Sequence, residues 1–235
     1  QAAAAAGEID MIFRTETDEL ASFRDLGWTR HATRSATTVV VRPNQRAVMA
    51  GLRPYADARV RRALALATDN AVCLELAIGG RGSVAQNHHV APLQPDHADV
   101  PAARYDPAEA RALMATTGMA GFEHEIVSVD DTWRRRTADV VSAQLADAGI
   151  RNRRVIVPRA EFDANWTTYP FSATNWNHRA LGVEVLSLAY RSGAAWNETG
   201  FANPAFDALL DRAAGIVSAE ARKPVMAQLQ RMMQD

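Results

Sequence analysis

Aromatic rings crowd one stretch of the chain: Trp166, Tyr169, Phe171, Trp176, Tyr190 and Trp196. The amides of Asn165, Asn175, Asn177 and Asn197 lie among them, together with His178 and Arg179. Aromatic faces with side-chain amides and a guanidinium suit a pocket that holds a polar organic solute. The same rings could equally be core, and spacing alone leaves both readings open. Asn165-Trp166-Thr167 and Asn197-Glu198-Thr199 match the glycosylation acceptor pattern, which is void in a bacterial chain.

No constellation for bond-making chemistry stands out. GxSxG, HExxH and a lysine-bearing phosphate loop do not occur. Gly80-Arg81-Gly82-Ser83-Val84-Ala85 matches GxGxxA, but a dinucleotide fingerprint needs a strand before it and a helix after it. Here a helical pattern precedes it and a proline-bearing loop follows, so it reads as a helix end. Adjacent His88 and His89 cannot easily chelate one ion together, and a structural or surface role is expected. Asp130-Asp131 reads as the cap of a helix. Cys73 is the single cysteine, so neither an internal disulfide nor a cysteine metal site can form. No catalytic residues, metal or cofactor are expected.

The 235 residues suffice for one large or two small domains. A hydrophobic share of 48% and a charged share of 23% are those of a globular chain. With 26 basic and 27 acidic side chains the net charge is -1, which gives no bulk attraction to nucleic acid or an anionic membrane. No run of about 18 apolar residues occurs. The chain opens on Gln1 and ends at Asp235 inside an amphipathic pattern (Val225, Leu229 and Met232 share a face), which reads as a fragment of a longer protein.

The elements that must position these residues follow from periodicity. Residues 1–8 read as a helix tail closed at Gly7, Glu8–Phe13 as a short strand, and Asp18–Leu26 as a short helix ended by Gly27. Thr37–Val41 is β-branched and reads as a buried strand. From Asp57, the positions Val60, Leu64, Ala67, Ala71, Leu74 and Ile78 form one continuous helical stripe, stopped by Gly79-Gly80. Residues 81–105 form a long loop. Asp106-Pro107-Ala108-Glu109 predicts a helix start with a capping box. Strands at 123–129, 154–157 and 171–176 alternate with helices from 131, 161, 182, 203 and 218, with Pro224 placed to kink the last. That alternation predicts an α/β layered fold.

Several landmarks resemble, in order, the extracellular solute-binding proteins of family 5, the peptide/nickel-type receptors of ABC importers. They are Gly7-Glu8-Ile9-Asp10, Asp57–Leu64 with Ala67-Thr68-Asp69, Gly79–Ala85 with Pro92, and Tyr105–Ala110. Ala143–Ile150, Trp176 and Asn203–Leu210 complete the series. The resemblance implies a type II periplasmic-binding-protein-like lobe, a mixed sheet flanked by helices, from a two-lobed protein of about twice this length. Residues 1–42 would be the edge of the first lobe and a hinge crossing, with Thr37–Val41 as the crossing strand. Residues 43–235 would be the second lobe, truncated before the return crossing. The implied partners are a peptide or other small-molecule ligand, the permease transmembrane subunits and the missing first lobe, with no nucleic acid. Nickel or haem cargo stays open within this reading. The implied location is the periplasm or a membrane-associated outer surface, with any export signal outside the chain. No catalysis is implied.

By position in that family, Trp176, Asn177, His178 and Arg179 are the first ligand-facing candidates. Tyr190, Trp196 and Asn197 come second, and Arg81 and Asn87 are candidates for the rim. In peptide-binding members an aspartate follows the late tryptophan by three residues and pairs with the ligand ammonium; here Arg179 stands there. A buried cation would favour a carboxylate, phosphate or acidic sugar. The alternative is that Arg179 pairs with Glu184. Two rival functions remain: a small α/β enzyme, hydrolase or nucleotide-using, and a sensor domain that reuses the binding lobe.

Overall fold

A computed structural model describes residues 1–13, 15 and 19–234. It divides into two compact units, Gln1–Arg34 and Ser35–Asp235. Among its described residues the first holds two short helices, α1 (Ala2–Ala5) and α2 (Leu20–Asp25). Gly7 and Gly27 follow them at positive φ, as expected of helix stops. Asp18, the expected start of α2, lies outside the described residues. Among the described residues Glu8–Phe13 joins no sheet, and Met11 and Phe13 are each 78% exposed. An alternating run becomes a strand only where a neighbour completes the ladder.

The second unit is built on four strands: β1 (Thr38–Pro43), β2 (His124–Val129), β3 (Asn152–Val157) and β4 (Phe171–Trp176). Their order is β1-β4-β2-β3. β1 runs antiparallel to β4, from Thr38 opposite Trp176 to Pro43 opposite Phe171. The other pairs are parallel, with Val127 opposite Ser172 and His124 opposite Asn152. The sheet is therefore mixed, as expected. The Thr37–Val41 run is an edge strand and mostly half-buried, not buried. Its β-branched residues face helices on both sides but have a strand neighbour on one side only, and Pro43 sits where no ladder donor is needed.

Strand alternation sends side chains to two separate cores. Phe171, Ala173 and Val41 enter a cluster with Tyr55, Val60, Leu64, Leu66 and Leu145. That cluster is supplied by α3 (Ala58–Leu66), α5 (Pro107–Ala115) and α6 (Thr132–Asp147). Trp176 and Val40 enter the other, with Leu186, Phe206, Leu210, Met226 and Leu229. It is supplied by α8 (Gly182–Tyr190), α9 (Pro204–Ala214) and α10 (Ala219–Gln234). The short α7 (Arg159–Asn165) contributes Phe162 to a third cluster with Val127 and Val129.

The stripe from Asp57 to Ile78 is two helices, α3 and α4 (Asn70–Ile78), not one. Asp69 breaks it. Its backbone is extended, its carboxylate accepts from Ala71 N at 2.8 Å, and its own N–H donates to Gln144 Oε1 at 2.7 Å. A side chain that satisfies a helix start competes with the helix it would otherwise continue. The capping box at Asp106 is half formed. Asp106 Oδ1 accepts from Glu109 N at 2.8 Å, but Asp106 N donates to Leu66 O. Glu109 instead takes Arg104 at 2.6 Å. The last helix runs unbroken through Pro224.

Residues 81–105 form no regular element, yet buried side chains stitch them down. Asp96, fully buried, accepts from Gly182 N (2.7 Å), Val183 N (3.0 Å) and Arg222 Nη1 (3.1 Å). It thereby caps α8 from a distant part of the chain, supplying the acceptor that Leu181 lacks. Gln230 exchanges two hydrogen bonds with Ala98, and Gln94 Nε2 donates to Arg179 O at 2.9 Å.

Candidate functional site

The parallel strands β2, β3 and β4 all end at one edge of the sheet, where β1 begins. Ligands of open α/β sheets bind outside the carboxyl ends of strands. β4 delivers Trp176 to that edge, and the chain continues through exposed Asn177 and His178 and half-buried Arg179.

Trp176 is only 5% exposed, and three groups fix it. Its indole N–H donates to Glu198 Oε1 at 2.8 Å, and its ring meets His89 edge-on at 5.4 Å. The Arg42 guanidinium lies 5.3 Å from its centroid and 5.1 Å from that of Tyr190, a cation held between two ring faces. Arg42 also forms an ion pair with Glu198, and Thr174 Oγ1 donates to the same carboxylate oxygen at 2.8 Å. Arg42, Thr174 and Trp176 share one face of the sheet by strand alternation, so Glu198 gathers all three. Among the described residues, Arg42 Nε and Nη1 are buried without a hydrogen-bond partner.

Tyr190, 3% exposed, closes the same cluster through its hydroxyl, 3.2 Å from His89 Nδ1. Burial raises its phenol above the ordinary range, offset in part by Arg42. Burial, with the Arg42 charge second, holds His89 well below the ordinary histidine range, so the ring stays neutral.

Above this buried layer stands Trp196, 45% exposed. Its ring is 6.1 Å from Trp176 and 6.4 Å from Trp166, both at steep angles. Arg179 lies 5.9 Å from the Trp196 centroid and 3.4 Å from Glu184, and its Nη1 donates to His178 O at 3.0 Å. Its side chain is 22% exposed, not the buried cation of the sequence reading. The alternative pairing with Glu184 is present and offsets the charge locally.

Asn197 pins its own turn: its Nδ2 donates to Arg191 O (3.0 Å) and Phe201 O (2.8 Å). Arg81 is exposed on the long loop. Asn87 lines a separate cavity of about 240 Å³ with Leu66, Ala103, Arg231 and Gln234, and none of the other candidates borders it. The structure thus brings Trp176, Tyr190 and Trp196 together, with Asn177, His178 and Arg179 following in chain. Sequence reading did not bring Arg42 and Glu198 to this edge, because residue 42 on β1 and residue 198 after α8 are 156 residues apart and meet only in the folded chain; His89 takes the structural role expected of it. Among the described residues no cluster of three His, Cys, Asp or Glu could hold a metal, and no helix is long and apolar enough to cross a membrane.

Residues 1–198 match the profile of the bacterial extracellular solute-binding proteins, family 5, middle. The chain belongs to that family. The family consists of solute binders, and the resemblance drawn from the ordered landmarks holds. Heme-binding protein A of Haemophilus influenzae is 26% identical over 192 residues, covering 75% of this chain and 34% of that protein. Among solved structures, DppA from Helicobacter pylori in complex with the peptide STSA superposes with a TM-score of 0.82 at 17% identity, covering 99% of this chain and 46% of that one. The oligopeptide-binding protein AppA from Bacillus subtilis, in complex with a nonapeptide, gives 0.78 at 20% identity, covering 99% and 50%. These likenesses show the fold, a type II periplasmic-binding-protein lobe. The chain spans about a third of the curated relative and about half of the solved ones.

Proposed function

We propose that this chain is the substrate-binding component of an ABC importer, in which residues 1–42 form the edge of a first lobe and a hinge crossing, and residues 43–235 form the second lobe. It captures a peptide-like or other small polar solute against a partner lobe and hands it to the permease. The observation that carries this reading is the layered edge of β4. There a buried, hydrogen-bonded and charge-paired bed of Arg42, Glu198, Trp176 and Tyr190 supports the exposed surface of Trp196, Asn177 and His178. A pre-fixed aromatic and amide surface binds with little ordering cost. Trp176 and Tyr190 act from beneath, and Trp196, Asn177 and His178 make the contacts. Solute touching both lobes favours the closed state by the difference in its affinity for the two states. No bond is made or broken in this role, and it is performed outside the cytoplasmic membrane.

Native mass spectrometry of the full-length protein purified from its own host tests the reading. The expected spectrum shows a non-covalent small solute that stays chemically unchanged on incubation with the protein. Conversion of that solute to a product would overturn the reading in favour of an enzyme.

A further inference from the structure

The chain just before β1 fixes the proton of a histidine just after β4. Ala36 N lies 3.0 Å from His178 Nδ1. A backbone N–H can only donate, so Nδ1 is the acceptor, and the neutral ring carries its one proton on Nε2. Flipping the ring would set a carbon against the amide and leave that donor without a partner. Ala36 is 7% exposed, so water cannot easily replace the lost bond. One edge of the imidazole is thus clamped to the backbone, while His178 itself stays exposed beside the rest of the β4 edge.

The neighbouring cation does not compete for this role. Arg179 is engaged by Glu184, by His178 O and by the Trp196 ring. Its pairing with Glu184 offsets its charge beside the histidine. The choice then falls to hydrogen-bond polarity. A donor locked in place accepts a partner with a lone pair and rejects one that offers only N–H.

We propose that His178 Nε2–H is a specificity-determining donor, and that the captured solute meets it with an acceptor oxygen, a carboxylate or a carbonyl, and not with an ammonium. The proposal rests on the capture reading above and adds the polarity of the group that the solute presents at this position.

The test is nuclear magnetic resonance on the full-length protein labelled with nitrogen-15 in histidine, with the His178→Asn variant used to assign the signals. The expected spectrum shows one tautomer at His178, protonated at Nε2, in neutral buffer. Acetate, the minimal carboxylate, is expected to shift the Nε2 signal saturably and leave Nδ1 nearly still; methylammonium is expected to shift neither. A proton on Nδ1, a mixture of tautomers, no response to acetate, or an equal response to methylammonium would each overturn the proposal. These readouts do not need the natural solute. A protein that fails as a solute carrier but shows the locked tautomer would separate this failure from that of the capture reading.

Discussion

Arg42 and Glu198 lie 156 residues apart in sequence and form one buried ion pair, with side chains 9% and 2% exposed. The same Glu198 oxygen takes the Trp176 indole N–H. The pair therefore joins β1 to the segment after α8 and sets the orientation of the ring on which the candidate surface rests. Desolvating two charges costs several kcal/mol each, and mutual attraction offsets that only when both partners are present.

Removing one partner should be far worse than removing both. Glu198→Ala leaves the Arg42 guanidinium buried without an anion and should cost about 3–5 kcal/mol. The double variant Arg42→Met with Glu198→Leu should lose clearly less than the sum of the single changes. Urea denaturation of the four proteins in a double-mutant cycle measures the coupling. Additive losses would mean that the two charges do not depend on one another.

Burial lowers His88 and His124 to a pKa of about 4 each, with His97 adding to the effect at His88. Unfolded histidine titrates near ~6.5. Below that value the unfolded chain binds protons that the folded one refuses, so stability falls as pH drops from ~6.5 toward ~4. Above ~6.5 their contribution is fully present. The slope is at most about 1.4 kcal/mol per pH unit for each ring. His124→Gln should flatten the pH dependence of the denaturation midpoint in this window. An unchanged slope would show that His124 protonates freely in the folded state.

Gly182 opens α8 where nothing larger fits. A Cβ there would stand 2.5 Å from Val90 Cγ1, 3.0 Å from Met226 Cε and 3.2 Å from Asp96 Oδ1. Gly182→Ala should cost about 1–3 kcal/mol through displacement of the stitched loop. Thermal unfolding measures this, and Gly193→Ala, with nothing within 4 Å but a positive φ, serves as the comparison for backbone strain alone.

Where local signals agreed with tertiary packing, the sequence was explicit. Phe171–Trp176 and Gly182–Tyr190 form as read, because apolar spacing, length and flanking turn residues all pointed one way. Glu8–Phe13 alternates like a strand but lacks a ladder neighbour, and alternation alone cannot supply one. The stripe from Val60 to Ile78 hid a break, since Asp69 can either ride on a helix surface or cap a new one, and its contact with Gln144, distant in sequence, decides. At the candidate site, the aromatic and amide cluster was legible from composition. The Arg42–Glu198 pair and the Ala36–His178 bond were not, because both are made by the β1–β4 pairing and by chain returning from far away. The family landmarks pointed to the segment after Trp176 as the candidate surface, and the alternative pairing of Arg179 with Glu184 is the one the structure shows.

The account turns on the exposed surface at the end of β4 being where solute binds. Calorimetric titration tests this most directly, using the solute recovered from the natively purified full-length protein and comparing wild type with Trp196→Ala. Removing a half-exposed indole that rests on two others should weaken binding at least about tenfold, roughly 1.4 kcal/mol, with little change in the unfolding midpoint. Equal affinity in the two proteins would contradict the account and move the binding surface elsewhere on the molecule.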